Sequence, residues 1–310
     1  MRRDIEFKSQ GVTCRGWLYT PDSGKGPFPA VVQAFGGGYV REFPVIVRHA
    51  DAFTKAGIAV VSFDYRYFGS SDGEPRQLLD PWAQIEDCQN ALTFAETQPD
   101  IDKDRLGIWG ISIGGGTAPV IAAVDRRVKC CVGVVPMLDG YRNQRRVHGE
   151  HEFQDVLKLL LEDRRKRFHG EDKRMQLPQS PEKLPCEELV AWPEPEVYEV
   201  FVPYKNSMAP KHEHWWQVES LERIINFTAF PYLPKLTNMP ILMIVANGDM
   251  SCPWDIAIEA FNQIPSAQKK IFILPKEFTH MSIYANADHT KVASAAAAEF
   301  LSEYLIKRSE

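Results

Sequence analysis

Three residue types that together activate a hydroxyl group occur in this chain in the order serine, aspartate, histidine. Ser112 stands at the centre of G-x-S-x-G within residues 107–116, GIWGISIGGG. A serine hydroxyl is a poor nucleophile by itself and needs a neighbouring base that takes its proton. His280 is the candidate base, and Asp249 is the candidate acid that orients the imidazole and stabilises its protonated form. The three residues predict nucleophilic attack on a carbonyl carbon.

The weight of the G-x-S-x-G pattern depends on its surroundings. As a bare pattern it is a weak signal, and a glycine-rich loop with an incidental serine is the alternative. Here apolar, β-prone residues precede Ser112, and small residues that can begin a helix follow it. A strand, a sharp turn and a helix in this order lift the serine hydroxyl above the edge of a sheet. The setting therefore favours a nucleophile.

Asp249 and His280 each follow an apolar run that predicts a strand. Residues 240–246 lead into the turn that contains Asp249, and residues 270–274 lead into the segment that contains His280. In open α/β sheets, functional residues gather at the carboxyl ends of the strands. We therefore expect both side chains to approach Ser112, although an aspartate in such a turn is also a common turn residue.

Two other carboxylates are alternatives for the acid. Asp64 also ends an apolar strand-like run, but it precedes Ser112, whereas the acid of this arrangement follows the nucleophile in the chain. We expect Asp64 to anchor the loop that follows it. Glu277 is close to His280 in sequence and is not the first choice.

Attack on a carbonyl also requires hydrogen-bond donors for the oxygen that becomes negative. The backbone N–H of Ile113, directly after Ser112, is one candidate. The other candidate is Gly37 in the glycine-rich loop 36–38, which follows a run typical of a buried strand. Gly36 in the same loop is assigned to the substrate-binding residues.

Composition limits the class of protein. The chain has 310 residues, of which 44% are hydrophobic and 25% charged, as in ordinary globular proteins. Its net charge of -5 argues against a nucleic-acid partner. No apolar run reaches the roughly 18 to 20 residues of a membrane helix, and the N-terminal residues lack the apolar region of a secretory signal.

Cysteine and histidine spacing argues against metal or disulfide chemistry. The six cysteines include no CxxC pair, and the histidines lack carboxylate or cysteine partners at ligand spacing. We expect a cytoplasmic protein without cofactor or metal. Its expected partner is a small-molecule acyl substrate, and we expect neither a nucleic acid nor a membrane. A homodimer is possible.

Alternating strand-like runs and helical patterns extend to about residue 136 and resume at 237. This alternation predicts an α/β fold with parallel strands, formed by residues 1–136 and 237–310. Residues 137–236 break the rhythm and form a predicted cap insertion that is largely helical. Within it, residues 151–168 show an amphipathic helix, whereas the proline-rich stretch 178–210 predicts no regular helix.

The predicted insertion is rich in aromatic residues. They either wall an apolar pocket for an acyl group or form the core of the insertion itself. Trp215 and Trp216 are assigned to the substrate-binding residues. The whole set consists of Trp192, Tyr198, Phe201, Tyr204, Trp215, Trp216, Phe227, Phe230 and Tyr232.

Several segments carry a resemblance to a known family. They are residues 7–12 (FKSQGV), 16–19 (GWLY), 63–73 (FDYRYFGSSDG) and 102–112 (DKDRLGIWGIS). With them the chain resembles the α/β-hydrolase superfamily, in its dienelactone-hydrolase and Xaa-Pro-dipeptidyl-peptidase-like branch. It is similar there to fungal polyketide transferases and thiohydrolases. The resemblance implies a mostly parallel sheet flanked by helices, with Ser112, Asp249 and His280 as nucleophile, acid and base.

The residues and the resemblance together predict a serine hydrolase that cleaves an ester or thioester of a medium-sized, partly apolar acyl group. An acyltransferase or a hydrolase of carbon–carbon bonds that uses the same triad is the alternative. A proline-specific peptidase and a ligand-binding relative without catalysis are further alternatives. Many relatives carry His-Gly before the oxyanion loop, where this chain has Phe35-Gly36.

Overall fold

The structure, a computed structural model, describes residues 1–170 and 174–307. The predicted insertion includes residues 171–173, and the predicted core includes residues 308–310; both lie outside the described residues. The strands are β1 (Arg2–Ser9), β2 (Val12–Tyr19), β3 (Phe28–Ala34), β4 (Ala59–Phe63), β5 (Ile101–Ile111), β6 (Val128–Val134), β7 (Gln176–Pro178), β8 (Trp215–Gln217), β9 (Ile241–Ala246) and β10 (Lys269–Leu274).

The α-helices alternate with these strands along the chain, and the last two follow β10. They are α1 (Pro44–Lys55), α2 (Pro81–Glu96), α3 (Ile113–Val124), α4 (Gly140–Phe168), α5 (Pro195–Ser207), α6 (Val218–Ile225), α7 (Trp254–Gln263), α8 (His280–Ala285) and α9 (Ala287–Ser302). The start of α2 shows how the sequence sets an element boundary. Asp80 accepts hydrogen bonds from the N–H groups of Trp82 and Ala83, and Pro81 occupies the first turn, as the sequence predicts.

One sheet organises the molecule, with the strand order β1-β2-β4-β3-β5-β6-β9-β10. The hairpin β1–β2 joins it in antiparallel fashion, and the pairs from β4 to β10 are parallel. Every residue of β4 and β9 is buried, because helices cover both faces of a parallel sheet. The predicted α/β fold with a mostly parallel sheet is confirmed.

The segment between β6 and β9 is long although these two strands are neighbours in the sheet. It contains α4, α5 and α6 and the short antiparallel pair β7–β8. The helix predicted at 151–168 belongs to α4, which begins earlier, at Gly140. Gly149, with φ of 70°, interrupts its helical geometry.

The prediction that the proline-rich stretch contains no regular helix is wrong, because α5 lies within it. Pro195 occupies the first turn of α5, where an amide hydrogen has no partner inside the helix and its loss has little effect. Pro203 lies inside the helix and removes one backbone hydrogen bond, which the buried contacts of Val197 and Phe201 offset. Tertiary packing thus overrides the local signal of the prolines.

Across the described ranges, no helix is both long enough and apolar enough to cross a membrane.

Candidate active site

Ser112 occupies the turn between β5 and α3, and its backbone has φ of 58° and ψ of -122°. Residues with a side chain rarely adopt a positive φ, so the turn must be held by its surroundings. Two glycines permit the close approach of strand and helix. A methyl group on Gly110 would lie 2.0 Å from the carbonyl oxygen of Gly114, and one on Gly114 would lie 2.1 Å from that of Ala34.

Backbone hydrogen bonds to the next strand hold this turn in place. The N–H of Ser112 donates to Val134 at 2.9 Å, and the N–H of Met137 donates to the carbonyl oxygen of Ser112 at 3.0 Å. The strand, turn and helix that the sequence predicts around Ser112 are therefore present. The side chain is 4% exposed and faces an internal cavity.

Asp249 and His280 come together at the carboxyl ends of β9 and β10. Nδ1 of His280 lies 2.9 Å from Oδ2 of Asp249, and both residues are buried. The other carboxylate oxygen of Asp249 accepts the N–H of Cys252 at 2.6 Å. Thr279 caps α8 with a reciprocal hydrogen-bond pair to Ser282, which fixes His280 at the first position of the helix.

The environment of His280 changes its proton affinity in two opposing ways. Burial lowers the pKa of an imidazole, because it disfavours the charged form. The negative charge of Asp249 is the largest of the effects that oppose burial, and contact with Cys252 adds to it, so the pKa of His280 lies well above its ordinary value. Asp249 therefore stabilises a protonated His280.

Cys252 is a neighbour of Ser112 and His280 that the sequence analysis missed. Its Sγ lies 3.9 Å from Oγ of Ser112, and its thiol is also in hydrogen-bonding contact with His280. Burial raises the pKa of Cys252, so the thiol is neutral near neutral pH. Among the described residues, no direct hydrogen bond joins Ser112 to His280. The only sequence signal for Cys252 is its position three residues after Asp249.

Gly37 and Ile113 both line the cavity beside Ser112. Ile113 is the first residue of α3, where an N–H group has no partner inside the helix and lies at the positive end of the helix dipole. Within residues 1–170 and 174–307, neither amide donates to a protein acceptor. Both are therefore available to an oxygen atom of a ligand.

Two side chains of the insertion hold the carbonyl groups of the loop 36–38. Nε2 of Gln179 donates to the carbonyl oxygen of Gly37 at 3.0 Å. Nδ1 of His212 lies 3.0 Å from the carbonyl oxygen of Gly38, and it must carry the proton because a carbonyl only accepts. The insertion thus positions the loop that contains the predicted oxyanion donor.

Phe35 stands where many relatives carry histidine. Its side chain is fully buried and its ring lies 6.0 Å from that of Tyr65. Its N–H donates to the hydroxyl of Tyr65 at 2.9 Å. The position therefore serves the hydrophobic core in this chain, and Gly37 still lines the cavity.

The cavity is small, with about 20 Å³ of space for the centre of a water-sized sphere. A cavity of this size holds about one water molecule. Its walls come from the loop 36–38, the strand ends and the segment between β6 and β9. The lining residues are Gly37, Tyr39, Ser112, Ile113, Gln179, Trp192, Val197, Phe201, Trp216, Ser251, His280 and Met281.

The structure separates the two tryptophans that the sequence analysis grouped. Trp216 lines the cavity, whereas Trp215 lines a separate groove beside Arg76 and Arg174. Gly36 lies behind the lining, where a methyl group on it would be 2.9 Å from Cβ of Ser112. Of the nine aromatic residues in the predicted pocket set, Trp192 and Phe201 join Trp216 in the described lining.

Tyr39 and Glu194 are further residues of the site that the sequence analysis missed. Burial raises the pKa of Tyr39, and Ser112 and His280 are close enough to oppose this effect. Burial also raises the pKa of Glu194, whose carboxylate accepts a hydrogen bond from Ser251. Tyr39 directly follows the triple glycine, which is a usable signal, whereas nothing in the sequence marks Glu194.

Asp64 has a different set of partners from Asp249. It is fully buried and paired with the guanidinium of Arg41, and it accepts the N–H groups of Arg41 at 2.8 Å and Ser70 at 2.9 Å. These bonds tie the segment after β4 to the segment after β3. The anchoring contacts expected for Asp64 are therefore present, and the carboxylate bonded to His280 is that of Asp249.

In the part of the chain that the structure describes, no group of three or more histidine, cysteine, aspartate or glutamate residues is arranged to hold a metal ion.

Comparison with known proteins gives consistent similarities. Residues 11–281 match the X-Pro dipeptidyl-peptidase (S15) family. The thiohydrolase aneE of Aspergillus aculeatus is 30% identical over 275 residues, 86% of this chain and 83% of that protein. The polyketide transferase grgF of a Penicillium species is 28% identical over 267 residues, 85% of this chain and 84% of that protein.

Solved structures agree with these sequence matches. A structure of DcsB in complex with its substrate analogue has a TM-score of 0.82 and 26% identity, and the match covers 98% of this chain and 99% of that chain. A structure of the α/β hydrolase GrgF from a Penicillium species has a TM-score of 0.80 and 24% identity, over 98% of this chain and 99% of that chain. The similarities confirm the predicted α/β-hydrolase fold and the predicted resemblance to fungal thiohydrolases and polyketide transferases.

Proposed function

We propose that this chain, which belongs to the X-Pro dipeptidyl-peptidase (S15) family, is a serine hydrolase that cleaves an ester or thioester of a medium-sized, partly apolar acyl group. The bond of 2.9 Å between His280 Nδ1 and Asp249 Oδ2, at a cavity that also contains Ser112, carries the proposal. The thiohydrolase and transferase relatives support chemistry at an acyl group.

The first half of the proposed reaction forms an acyl-enzyme. Oγ of Ser112 attacks the carbonyl carbon while Nε2 of His280 takes the hydroxyl proton, since Nδ1 is engaged by Asp249. The carbonyl oxygen becomes negative and accepts hydrogen bonds from Gly37 and Ile113. His280 then donates the proton to the leaving alcohol or thiol, and the bond from the carbonyl carbon to the leaving group breaks.

The second half releases the acid. Water attacks the acyl carbon, His280 takes one of its protons, and the same two amides stabilise the second negative oxygen. The bond between the acyl carbon and Oγ of Ser112 then breaks, and His280 returns the proton to Oγ. The enzyme is regenerated without cofactor or metal. Tyr39, which also lines the cavity, is proposed to orient the Ser112 hydroxyl between turnovers.

Ser112 and His280 have no direct hydrogen bond in this structure, and Cys252 stands beside both of them. Hydrogen bonds between nucleophile and base are often long in unliganded sites and tighten when substrate binds. We infer that substrate binding turns Oγ of Ser112 from Cys252 towards His280. This step is supported by the position of Ser112 and His280 in the lining of one cavity and by their low exposure to solvent.

Acyl transfer is the second candidate function, and one observation favours it. Ser112 and His280 are each only 4% exposed, so the acyl-enzyme would be shielded from bulk water. A relative that is 28% identical is named a polyketide transferase. Product analysis of the same reaction with and without an added alcohol or amine separates transfer from hydrolysis.

Covalent labelling combined with ester turnover tests the proposal. A fluorophosphonate probe reacts with an activated serine, so the wild type should be labelled and should hydrolyse p-nitrophenyl acyl esters. Ser112→Ala should lose the label and lower kcat by about 10⁶. Ser62→Ala is the matched control, because Ser62 is a buried serine of β4 outside the cavity lining. Turnover that persists in Ser112→Ala would overturn the proposal.

A further inference from the structure

We propose that Gln179 and Trp216 form a subsite for a hydroxyl group on the acyl chain of the substrate. The inference rests on the proposed function, because it assigns the acyl group to the cavity beside Ser112. It makes hydroxyacyl esters or thioesters the preferred substrate class.

Trp216 lines the cavity and has a buried hydrogen-bond donor without a partner among the described residues. The residue is 1% exposed, and its Nε1 has no hydrogen-bond partner among the described residues. The indole is held between the insertion and the oxyanion loop. A methyl group on Gly37 would lie 2.9 Å from two carbons of the Trp216 ring. The donor is therefore fixed in position rather than free to turn towards solvent.

Gln179 contributes an unpaired acceptor. Its Nε2 donates to the carbonyl oxygen of Gly37 at 3.0 Å, which determines the orientation of the amide group. Oε1 is then left over, and within the described ranges it has no partner, although the residue is only 3% exposed. A buried acceptor without a partner is unfavourable and requires an explanation.

The free donor and the free acceptor lie beside the same point of the oxyanion loop. A methyl group built on Gly38 would lie 2.6 Å from Nε1 of Trp216 and 3.6 Å from Oε1 of Gln179. Both residues line the cavity that contains Ser112. A hydroxyl group that reaches the edge of the cavity beside Gly38 would therefore have one donor and one acceptor close by.

An alcohol hydroxyl fits this pair because it can donate one hydrogen bond and accept another. A methylene group satisfies neither atom, and a ketone oxygen satisfies only the indole N–H. The subsite adjoins Gly37, whose amide is the proposed donor to the reacting carbonyl oxygen. The hydroxyl should therefore lie close to the carbonyl along the chain, on the second or third carbon.

The subsite is tested by the ratio of kcat/KM for a hydroxy ester to kcat/KM for the matched ester without the hydroxyl group. We would compare kcat/KM for p-nitrophenyl butyrate with kcat/KM for its 2-hydroxy and 3-hydroxy analogues. The wild type should prefer one of the hydroxy esters by about tenfold, which corresponds to the usual contribution of hydrogen bonds of this kind. Trp216→Phe, which removes the N–H but keeps an aromatic ring, and Gln179→Met, which removes Oε1, should each bring the ratio towards one.

Trp215→Phe is the matched control, since this neighbouring tryptophan lies outside the described lining of the cavity. It should keep the wild-type ratio. A general loss of packing lowers the turnover of all three esters alike, so the ratio isolates the subsite. A wild-type ratio of one for both hydroxy esters, or a preference that survives in both cavity variants, would overturn the subsite alone. Failure of the wild type to turn over any of the esters would overturn the proposed function and the subsite with it.

Discussion

Nδ1 of His280 lies 2.9 Å from Oδ2 of Asp249, and both side chains are shielded from solvent. Burial lowers the pKa of the imidazole, but the charge of Asp249, together with contact with Cys252, raises it, so that the pKa of His280 lies well above the ordinary value. The same contact orients the ring, because it engages Nδ1 and leaves Nε2 for the hydroxyl of Ser112. The contact therefore affects both the geometry of the base and the pH at which it acts.

The pH dependence of activity should report this contact. Only neutral His280 accepts a proton, so kcat/KM should rise as pH increases through the pKa of His280. Asp249→Asn removes the charge that raises this pKa while burial still lowers it. The rise should therefore move to lower pH, and the plateau should fall by about 10⁴ because the imidazole is no longer held correctly. Ester hydrolysis measured across the full pH range of stability checks both effects.

Glu277→Gln is the control for this experiment, because Glu277 is near His280 in sequence but is not bonded to it. In Glu277→Gln, kcat/KM should rise at the same pH as in the wild type. If kcat/KM of Asp249→Asn rises at the wild-type pH, another group controls the proton affinity of His280.

Asp64→Asn should distinguish the anchoring carboxylate of Asp64 from the carboxylate of Asp249, which is bonded to His280. Asp64 is fully buried against the guanidinium of Arg41, and loss of its charge leaves this cation poorly compensated. The free energy of unfolding should fall by about 3 to 5 kcal/mol, as is typical when one partner of a buried ion pair is removed. Urea unfolding measures this change. The folded enzyme should keep the wild-type pH at which kcat/KM rises, and a displaced rise at wild-type stability would contradict the anchoring role.

The turn at Ser112 could be predicted from sequence because its requirements are local. Gly110 and Gly114 are needed where strand and helix approach, and the sequence shows them directly. Asp249 and His280 could be found because parallel strands bring their carboxyl ends to one edge. In these cases a short stretch of chain contains the physical cause.

The insertion could not be predicted to the same depth, because its contacts join distant residues. Gln179 reaches the oxyanion loop across 142 positions of sequence, and His212 reaches it across 174. No local pattern distinguishes these two residues from other polar residues of the segment. The same reason explains α5, where burial of apolar side chains overrides the effect of Pro203.

Gly114→Ala should damage the turn itself. Its methyl group would lie 2.1 Å from the carbonyl oxygen of Ala34, and backbone atoms cannot move aside at little cost. We expect a stability loss of about 1 to 3 kcal/mol and weaker labelling of Ser112 by a fluorophosphonate. Gly248→Ala is a control for stability, since a methyl group there would come no closer than 3.4 Å to its neighbours. Equal melting temperatures for the two variants would contradict the steric role of Gly114.

His212 provides a test of whether the insertion positions the oxyanion loop. Burial lowers the pKa of His212 to about 3, so the ring is neutral at the pH of catalysis and donates from Nδ1 to Gly38. His212→Leu removes the donor, and a small displacement of the loop should lower kcat by roughly ten- to a hundredfold. KM should change little, because the loop contacts the oxygen mainly when it becomes negative.

His212→Asn separates this positioning role from simple packing, because its side-chain amide can still donate to the carbonyl oxygen of Gly38. It should recover most of the kcat that His212→Leu loses, although both variants lose the ring contacts to Phe43 and Phe201. Thermal unfolding of both variants measures the loss of packing separately. If the bond to Gly38 is what matters, kcat should follow the presence of a donor and the melting temperature should follow the loss of the ring. Equal kcat values in His212→Leu and His212→Asn would refute a positioning role for His212 and assign its effect to packing.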